Sequence, residues 1–198
     1  MRRLHVVVFA LVLAVAGLAA FTFAATARED NNRNVSARLN GFNEVVGPGS
    51  ISTSGSGVFT AKVDESGQMI TYTLTYTLDA ETFTPTGTTT PVLPTATAAH
   101  IHFAQRHVGG GVIAFLCGGG NKPTCPARGG TVTGTITPAD IIGPTGQGIE
   151  AGSFAEAVRA IRAGAVYANV HSTRWPSGEI RGQVGGGRNN DGDNEDDD

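Results

Sequence analysis

Three histidines have a spacing suited to metal binding. His100 and His102 stand at positions i and i+2 of the segment Ala-His-Ile-His-Phe-Ala, residues 99–104, so on a β-strand both imidazoles point to one face. A third, His171, ends an alternating segment, residues 166–171, that puts it opposite an apolar face. Neutral imidazole is a common ligand of copper and zinc. If these strands are neighbours, His100, His102 and His171 meet in one polar patch, and in a first interpretation they bind copper or zinc.

Other polar side chains fall on the same predicted faces. Asn169 shares a face with His171, and Glu179, Arg181 and Gln183 alternate with apolar residues on the last predicted strand. These groups support a second interpretation, in which histidines, amides and charges hydrogen-bond to one another and fix the strand register without a ligand. Two histidines at i and i+2 form a short motif, so both interpretations stay open.

The sequence indicates no enzyme class and no nucleic-acid binding. A G-x-S-x-G motif, which marks many hydrolases, is absent, and the glycine runs at 109–111 and 118–120 lack the Lys-Ser/Thr of a phosphate loop. Residues 28–184 contain 11 basic and 11 acidic residues, so no excess of positive charge is present to attract nucleic acid. We assign no catalytic residue.

The two cysteines predict a disulfide. Cys117 and Cys125 are the only cysteines of the chain, and seven residues separate them. An even number of cysteines in an exported chain favours pairing. The alternative, a metal-binding pair, is disfavoured because this spacing is wider than that of a zinc knuckle.

Both ends of the chain differ from its middle. In residues 1–27, a basic start and an apolar run lead to the small-x-small sequence Ala25-Thr-Ala27, which predicts a signal peptide cleaved after Ala27 and therefore export. An uncleaved membrane anchor is the alternative. Residues 28–36 are polar and predict a flexible leader. Residues 185–198 hold six acids, one arginine and no apolar side chain, which predicts a disordered acidic tail.

The middle of the chain predicts an all-β domain. Residues 71–78 alternate Thr with Tyr or Leu, as a half-buried strand does. Ser153-Phe-Ala-Glu156 matches a capping box and opens an alanine-rich segment, which predicts a helix over 154–163. About eight short strands and one helix favour an antiparallel β-sandwich of Greek-key or immunoglobulin-like type. The other predicted strands are 39–46, 58–63, 112–117, 131–137, 165–172 and 179–184.

Several of these segments resemble the CHRD domain, which is named for chordin and is also found in many exported bacterial proteins. The resemblance covers about residues 37–184 and is most specific in residues 167–183, where Asn-Val-His is followed by Pro-Ser-Gly-Glu-Ile-Arg-Gly-Gln. The segments 39–46, 99–104 and 153–156 add to it.

The resemblance implies an extracellular β-sandwich module without an established enzymatic activity. Such a module would serve for binding or support, with an extracellular protein or a matrix component as its partner. A surface adhesin is a further alternative, in which the acidic tail and the Thr/Pro-rich loop at 84–97 contact other molecules. The membrane would be contacted only through an uncleaved signal.

Overall fold

The computed structural model describes residues 34–45 and 49–186. Within these residues the chain forms eight strands and one α-helix, with short 3-10 turns at Gly41–Asn43, Pro138–Asp140 and Thr145–Gln147. The elements are β1 (Asn34–Asn40), β2 (Ser56–Asp64), β3 (Met69–Thr77), β4 (Ala96–Phe103), β5 (Gly111–Cys117), β6 (Gly129–Ile136), α1 (Phe154–Arg162), β7 (Val166–Ser172) and β8 (Ile180–Gly186).

The eight strands form one antiparallel sheet that is nearly closed into a barrel. Its order is β5-β4-β7-β8-β1-β2-β3-β6, and the two outermost strands, β5 and β6, approach each other. The Cys117–Cys125 disulfide ties the end of β5 to the segment before β6. The prediction of an all-β antiparallel fold with one helix is confirmed, as is the disulfide. The two-layer sandwich and its Greek-key connections stay a prediction.

The interior of the sheet is apolar because the strands alternate as the sequence predicted. On β3, Ile70, Tyr72, Leu74 and Tyr76 are all 1% exposed or less, whereas the threonines between them face outward. Helix α1 buries one apolar side, and it packs near β8. Burial of these side chains supplies the main driving force for the fold.

The helix occurs where it was predicted, but its cap does not. The observed α1 ends one residue before the predicted end, yet the Ser153 hydroxyl makes no capping hydrogen bond. Its backbone (φ −75°, ψ 74°) departs from the extended conformation typical of a capping residue. Burial of Phe154 and Val158 therefore matters more for this helix than the capping box.

The first strand lies earlier in the chain than predicted. The prediction of a strand over 39–46 is wrong: β1 ends at Asn40 and a 3-10 turn begins at Gly41. The turn needs glycine there, since a Cβ on Gly41 would lie 2.2 Å from the Ile51 carbonyl oxygen. Residues 34–36, the last three of the predicted leader, belong to β1.

Several predictions concern parts of the chain outside the described residues. The predicted signal peptide (1–27), most of the predicted leader and residues 187–198 of the predicted acidic tail all lie there, whereas Gly185 and Gly186, the first two residues of that predicted tail, belong to β8. Among residues 34–45 and 49–186, no helix has the length and apolar character needed to span a bilayer.

Candidate metal centre

Three neighbouring strands bring the predicted site residues to one side of the sheet. β7 lies between β4 and β8, and Asn169 pairs with His100 on one side and with Arg181 on the other. Two residues away, Tyr167 pairs with His102 and Gln183. We call this side the histidine face; it comprises His100, His102, Tyr167, Asn169, His171, Arg181 and Gln183. The expectation that these strands are neighbours is confirmed.

The histidine face is a second buried layer, although it lies outside the barrel. The segment 104–110 covers it, and its backbone carbonyls accept hydrogen bonds from the face. Arg181 Nη2 donates to Gln105 O (3.1 Å) and Val108 O (2.8 Å), and Gln183 Nε2 donates to Ala104 O (2.9 Å). Arg181 is consequently only 2% exposed.

The three imidazoles converge. Each offers one ring nitrogen, and these nitrogens lie within 4.8 Å of one another. The shortest approach joins His100 Nδ1 and His171 Nε2, at 3.1 Å. A tetrahedral ion with bonds of 2.0–2.1 Å needs ligand atoms about 3.3–3.4 Å apart, so a small rotation of the rings would close the set.

Backbone carbonyls fix the tautomers of two imidazoles. His102 Nδ1 lies 2.9 Å from Gly110 O, and His171 Nδ1 lies 2.9 Å from Pro176 O. A carbonyl oxygen only accepts, so both Nδ1 atoms carry protons, and each neutral ring keeps its lone pair on Nε2. Metal-ligating histidines commonly donate their second ring N–H to a carbonyl in this way.

Burial keeps the imidazoles neutral. Desolvation lowers the pKa of His100 to about 3, with smaller effects from His171 and His102. Desolvation likewise lowers the pKa of His102 to about 4, although its hydrogen bond to Gly110 works in the opposite direction. The pKa of His171 is also lowered by burial. At neutral pH all three rings therefore have the form that binds metal.

Comparison with known protein families identifies the family of this domain. A family model described as the CHRD domain matches residues 35–184. The chain belongs to the CHRD domain family. No curated protein and no solved structure matches it. The match includes all three histidines and the covering segment 104–110, so the candidate site lies within the CHRD domain itself.

Aromatic rings pack on both sides of the imidazoles in this CHRD domain. Tyr167 stacks on His102 with ring centroids 4.6 Å apart and planes 4° apart, and the Arg181 guanidinium carbon lies 3.4 Å from the Tyr167 centroid. Phe115, on β5, meets His100 edge-on at 4.5 Å. These contacts limit the rings to small rotations about their observed orientations.

Buried polar atoms without a hydrogen-bond partner concentrate here. Among the described residues, seven buried side-chain atoms have none, and four belong to the histidine face: His102 Nε2, Asn169 Oδ1, Arg181 Nη1 and Gln183 Oε1. A fifth, Glu44 Oε1, belongs to a buried carboxyl close to Arg181. The other two are Trp175 Nε1 and Glu179 Oε2. Because buried polar groups are normally paired, this concentration indicates a region that contacts a further polar group or ion.

One site residue, Glu44, was missed from the sequence. It is 1% exposed; burial raises the pKa of its carboxyl to about 7, which the Arg181 charge and the Asn169 amide oppose. Glycine is needed at 178, because a Cβ there would lie 2.7 Å from Glu44 Oε1. Glu44 lies within the predicted strand 39–46, and because that strand in fact ends at Asn40, the prediction did not place Glu44 near the site. The only indication in the sequence was the glutamate at the end of the motif Asn-Gly-Phe-Asn-Glu.

Glu179, predicted with the other polar residues, makes its hydrogen bonds elsewhere. Its Oε1 accepts from Thr53 Oγ1 (2.9 Å) and from the Asp79 amide (2.8 Å). Asp79 in turn pairs with Arg174 at 2.8 Å. Glu179 thus fastens the loops that precede β2 and follow β3, whereas Asn169, Arg181 and Gln183 lie on the histidine face.

Proposed function

We propose that this protein is an exported CHRD-domain module that binds a divalent transition-metal ion, copper or zinc, through His100, His102 and His171. The observation that carries the proposal is the convergence of three neutral imidazoles on neighbouring strands, with ring nitrogens within 4.8 Å of one another. Two of these rings point a lone pair away from the carbonyl that fixes their tautomer.

The donor set favours copper or zinc over calcium and magnesium. The converging group is made of imidazoles alone among the His, Cys, Asp and Glu side chains of the described residues. Calcium and magnesium prefer oxygen ligands, while imidazole suits zinc and copper. In the metal-free protein, the His100–His171 hydrogen bond occupies one lone pair; to bind the ion, His100 would carry its proton on Nε2 instead.

Export is part of the same proposal. The start of the chain has the pattern of a signal peptide, and the Cys117–Cys125 disulfide suits an oxidising compartment. The proposal also keeps the finer assignment of the fold as a two-layer sandwich of Greek-key or immunoglobulin-like type, in which the two halves of the sheet would pack face to face. The module would then display its metal site outside the cytoplasm.

The test is calorimetric titration of the secreted chain with Zn²⁺ and, separately, with Cu²⁺. We expect one ion per chain for wild type, loss of at least tenfold in affinity for His102→Ala, and wild-type affinity for His107→Ala. His107 is a matched control because it is exposed and follows β4 by only four residues. Circular dichroism of each variant establishes that it is folded.

Two results would overturn the proposal. Wild type that binds neither ion stoichiometrically would remove the metal site, and the histidine face would then be the structural network that the His100–His171 hydrogen bond also suits. Equal affinity in His102→Ala and His107→Ala would place the ion elsewhere.

A further inference from the structure

Asn169 occupies the middle of the three histidines. His100 is its cross-strand partner on β4, and His171 lies two residues after it on β7. His102 pairs with Tyr167, which lies two residues before Asn169 on β7. Side chains directly opposite on paired strands have Cβ atoms about 4.5–5.5 Å apart, and diagonal neighbours about 7–8 Å. The Asn169 side chain therefore starts from a backbone position surrounded by the imidazoles, and it is only 2% exposed.

The Asn169 amide has a defined orientation. Its neighbours include the Glu44 carboxyl, whose pKa the Asn169 side chain lowers by a hydrogen bond, and the His102 imidazole, which lies on the paired strand β4. A carboxylate accepts hydrogen bonds, so the amide nitrogen belongs on the Glu44 side. The amide oxygen, Oδ1, is then left for the histidines.

Two hydrogen-bond acceptors in this region have no donor. Asn169 Oδ1 and His102 Nε2 are both buried, and neither has a hydrogen-bond partner. His102 carries its proton on Nδ1 toward Gly110, so Nε2 has nothing to donate to the amide oxygen. Leaving a buried acceptor unsatisfied costs about 1–3 kcal/mol, whereas a cation shared by the two atoms would satisfy both.

We infer that Asn169 Oδ1 is the fourth ligand of the proposed site, which completes a set of three imidazole nitrogens and one amide oxygen. The inference rests on the proposed function. Four ligands suit a tetrahedral divalent ion such as zinc.

The experiment uses Zn²⁺ titration and the visible absorption of the Co²⁺-loaded secreted chain, which reports the ligand set directly. Asn169→Leu keeps the volume but has no ligand atom, and Asn169→Asp keeps an oxygen and adds charge. We expect Asn169→Leu to weaken Zn²⁺ binding about 10–100-fold and to change the Co²⁺ spectrum. Asn169→Asp should restore the affinity with a spectrum shifted from wild type, and Asn121→Leu, at an exposed asparagine, should change neither.

Each outcome decides between the two proposals. Wild-type affinity and an unchanged Co²⁺ spectrum in Asn169→Leu would overturn the fourth ligand while leaving the histidine site intact. If Asn169→Leu does not fold, an unchanged Co²⁺ spectrum in Asn169→Asp overturns it equally, because a carboxylate ligand alters the ligand field. Failure of wild type to bind any ion would defeat the proposed function and this inference together.

Discussion

The two halves of the barrel differ in their outer surfaces, because one is exposed to solvent and the other is covered by a segment of the chain. Around β3, the outer side chains form what we call the threonine face: Thr60, Lys62, Thr71, Thr73, Thr75, Thr77, Thr131, Thr133 and Thr135. They are exposed or partly exposed, and the Thr75 and Thr131 hydroxyls hydrogen-bond across strands at 2.9 Å. On the other half, around β7, the histidine face lies under the segment 104–110.

Burial under a covering segment, and not the strand pattern, gives the polar side chains of the histidine face their chemistry. Both halves have the same period-two alternation over one apolar interior. Hydroxyls in water exchange one hydrogen bond for another at little gain or cost. Beneath the covering segment, the same alternation places imidazoles, a guanidinium and amides in a region shielded from water. There, a buried charge or a polar atom without a hydrogen bond raises the free energy of the folded state. The contrast predicts that equivalent substitutions will have unequal effects on the two faces.

The largest difference in stability between the two faces is expected when a positively charged side chain is replaced. Arg181→Met removes two hydrogen bonds to the covering segment and leaves Glu44 buried without its positive neighbour, so we expect a loss of about 3–5 kcal/mol in unfolding free energy. Lys62→Met, on the exposed threonine face, should stay within about 0.5 kcal/mol of wild type. Urea unfolding at pH 7 measures both, and equal effects would remove the distinction between the faces.

Zn²⁺ should stabilise the protein only through the half that carries the histidine face. At free Zn²⁺ a hundredfold above its dissociation constant, binding to the native state adds about 2.7 kcal/mol. A thermal shift that a chelator reverses would show this gain, and His107→Ala should keep it while His102→Ala loses it. A shift that survives in His102→Ala would mean that the ion stabilises some other part of the chain.

The disulfide tests whether the halves depend on each other. Cys117 and Cys125 join the β5 edge to the segment before β6, so replacing both with serine opens this link and should cost about 2–3 kcal/mol. The histidines lie on β4 and β7, which pair along most of their length without help from the disulfide. Zn²⁺ affinity should therefore stay within twofold of wild type, and a larger loss would show that closure of the barrel shapes the site.

The alternation of the strands made much of this architecture predictable. Residues 71–78 and 166–171 showed their apolar sides in the sequence, and the i, i+2 histidines placed both rings on one face. The cysteine pair and the helix at 154–163 could be predicted from local pattern as well. Local rules suffice where the answer depends on which side of a strand a residue faces.

The cover of the histidine face could not be predicted in the same way. Residues 104–110 contain glycines and polar side chains, which favour a surface loop, yet their carbonyls are the groups that bury Arg181. Glu44 reaches the face only because β1 ends at Asn40 and the chain turns at Gly41. Both facts depend on contacts between segments distant in sequence, which periodicity does not encode.

Acid should affect the histidine face at a higher pH than the rest of the molecule. The folded-state pKa values of His100 and His102, about 3 and 4, lie below the ordinary value of 6.5, so the unfolded chain binds more protons between these limits. The histidine contribution to the stability of the metal-free protein is then complete above pH 6.5 and falls as the pH drops toward 4, by at most about 1.4 kcal/mol per pH unit for each imidazole. The raised pKa of Glu44, about 7, opposes this fall between pH 7 and 4.5, because the folded state binds the additional proton there. The pKa of Asp140 is lowered by its Lys122 and Thr137 hydrogen bonds against the effect of burial, so its contribution is lost only below about pH 4.

The pH dependence is measured by urea unfolding in chelator between pH 4 and 8. His102→Gln should flatten the decline between pH 6.5 and 4, whereas His107→Ala should retain the wild-type slope. A slope that is the same in both variants would show that His102 is not a source of the acid sensitivity.

The smallest effect is expected on the threonine face. Thr75→Val removes the hydroxyl that pairs with Thr131 but keeps a β-branched side chain of similar shape, and water can replace the lost hydrogen bond because both residues are exposed. The unfolding free energy should change by less than about 0.5 kcal/mol, measured as for Arg181→Met. A cost above about 1 kcal/mol would mean that the hydroxyls act together as a network in spite of water. In that case cover would not be what separates the two halves, and the unpaired atoms of the histidine face would need another explanation than a site shielded for an ion.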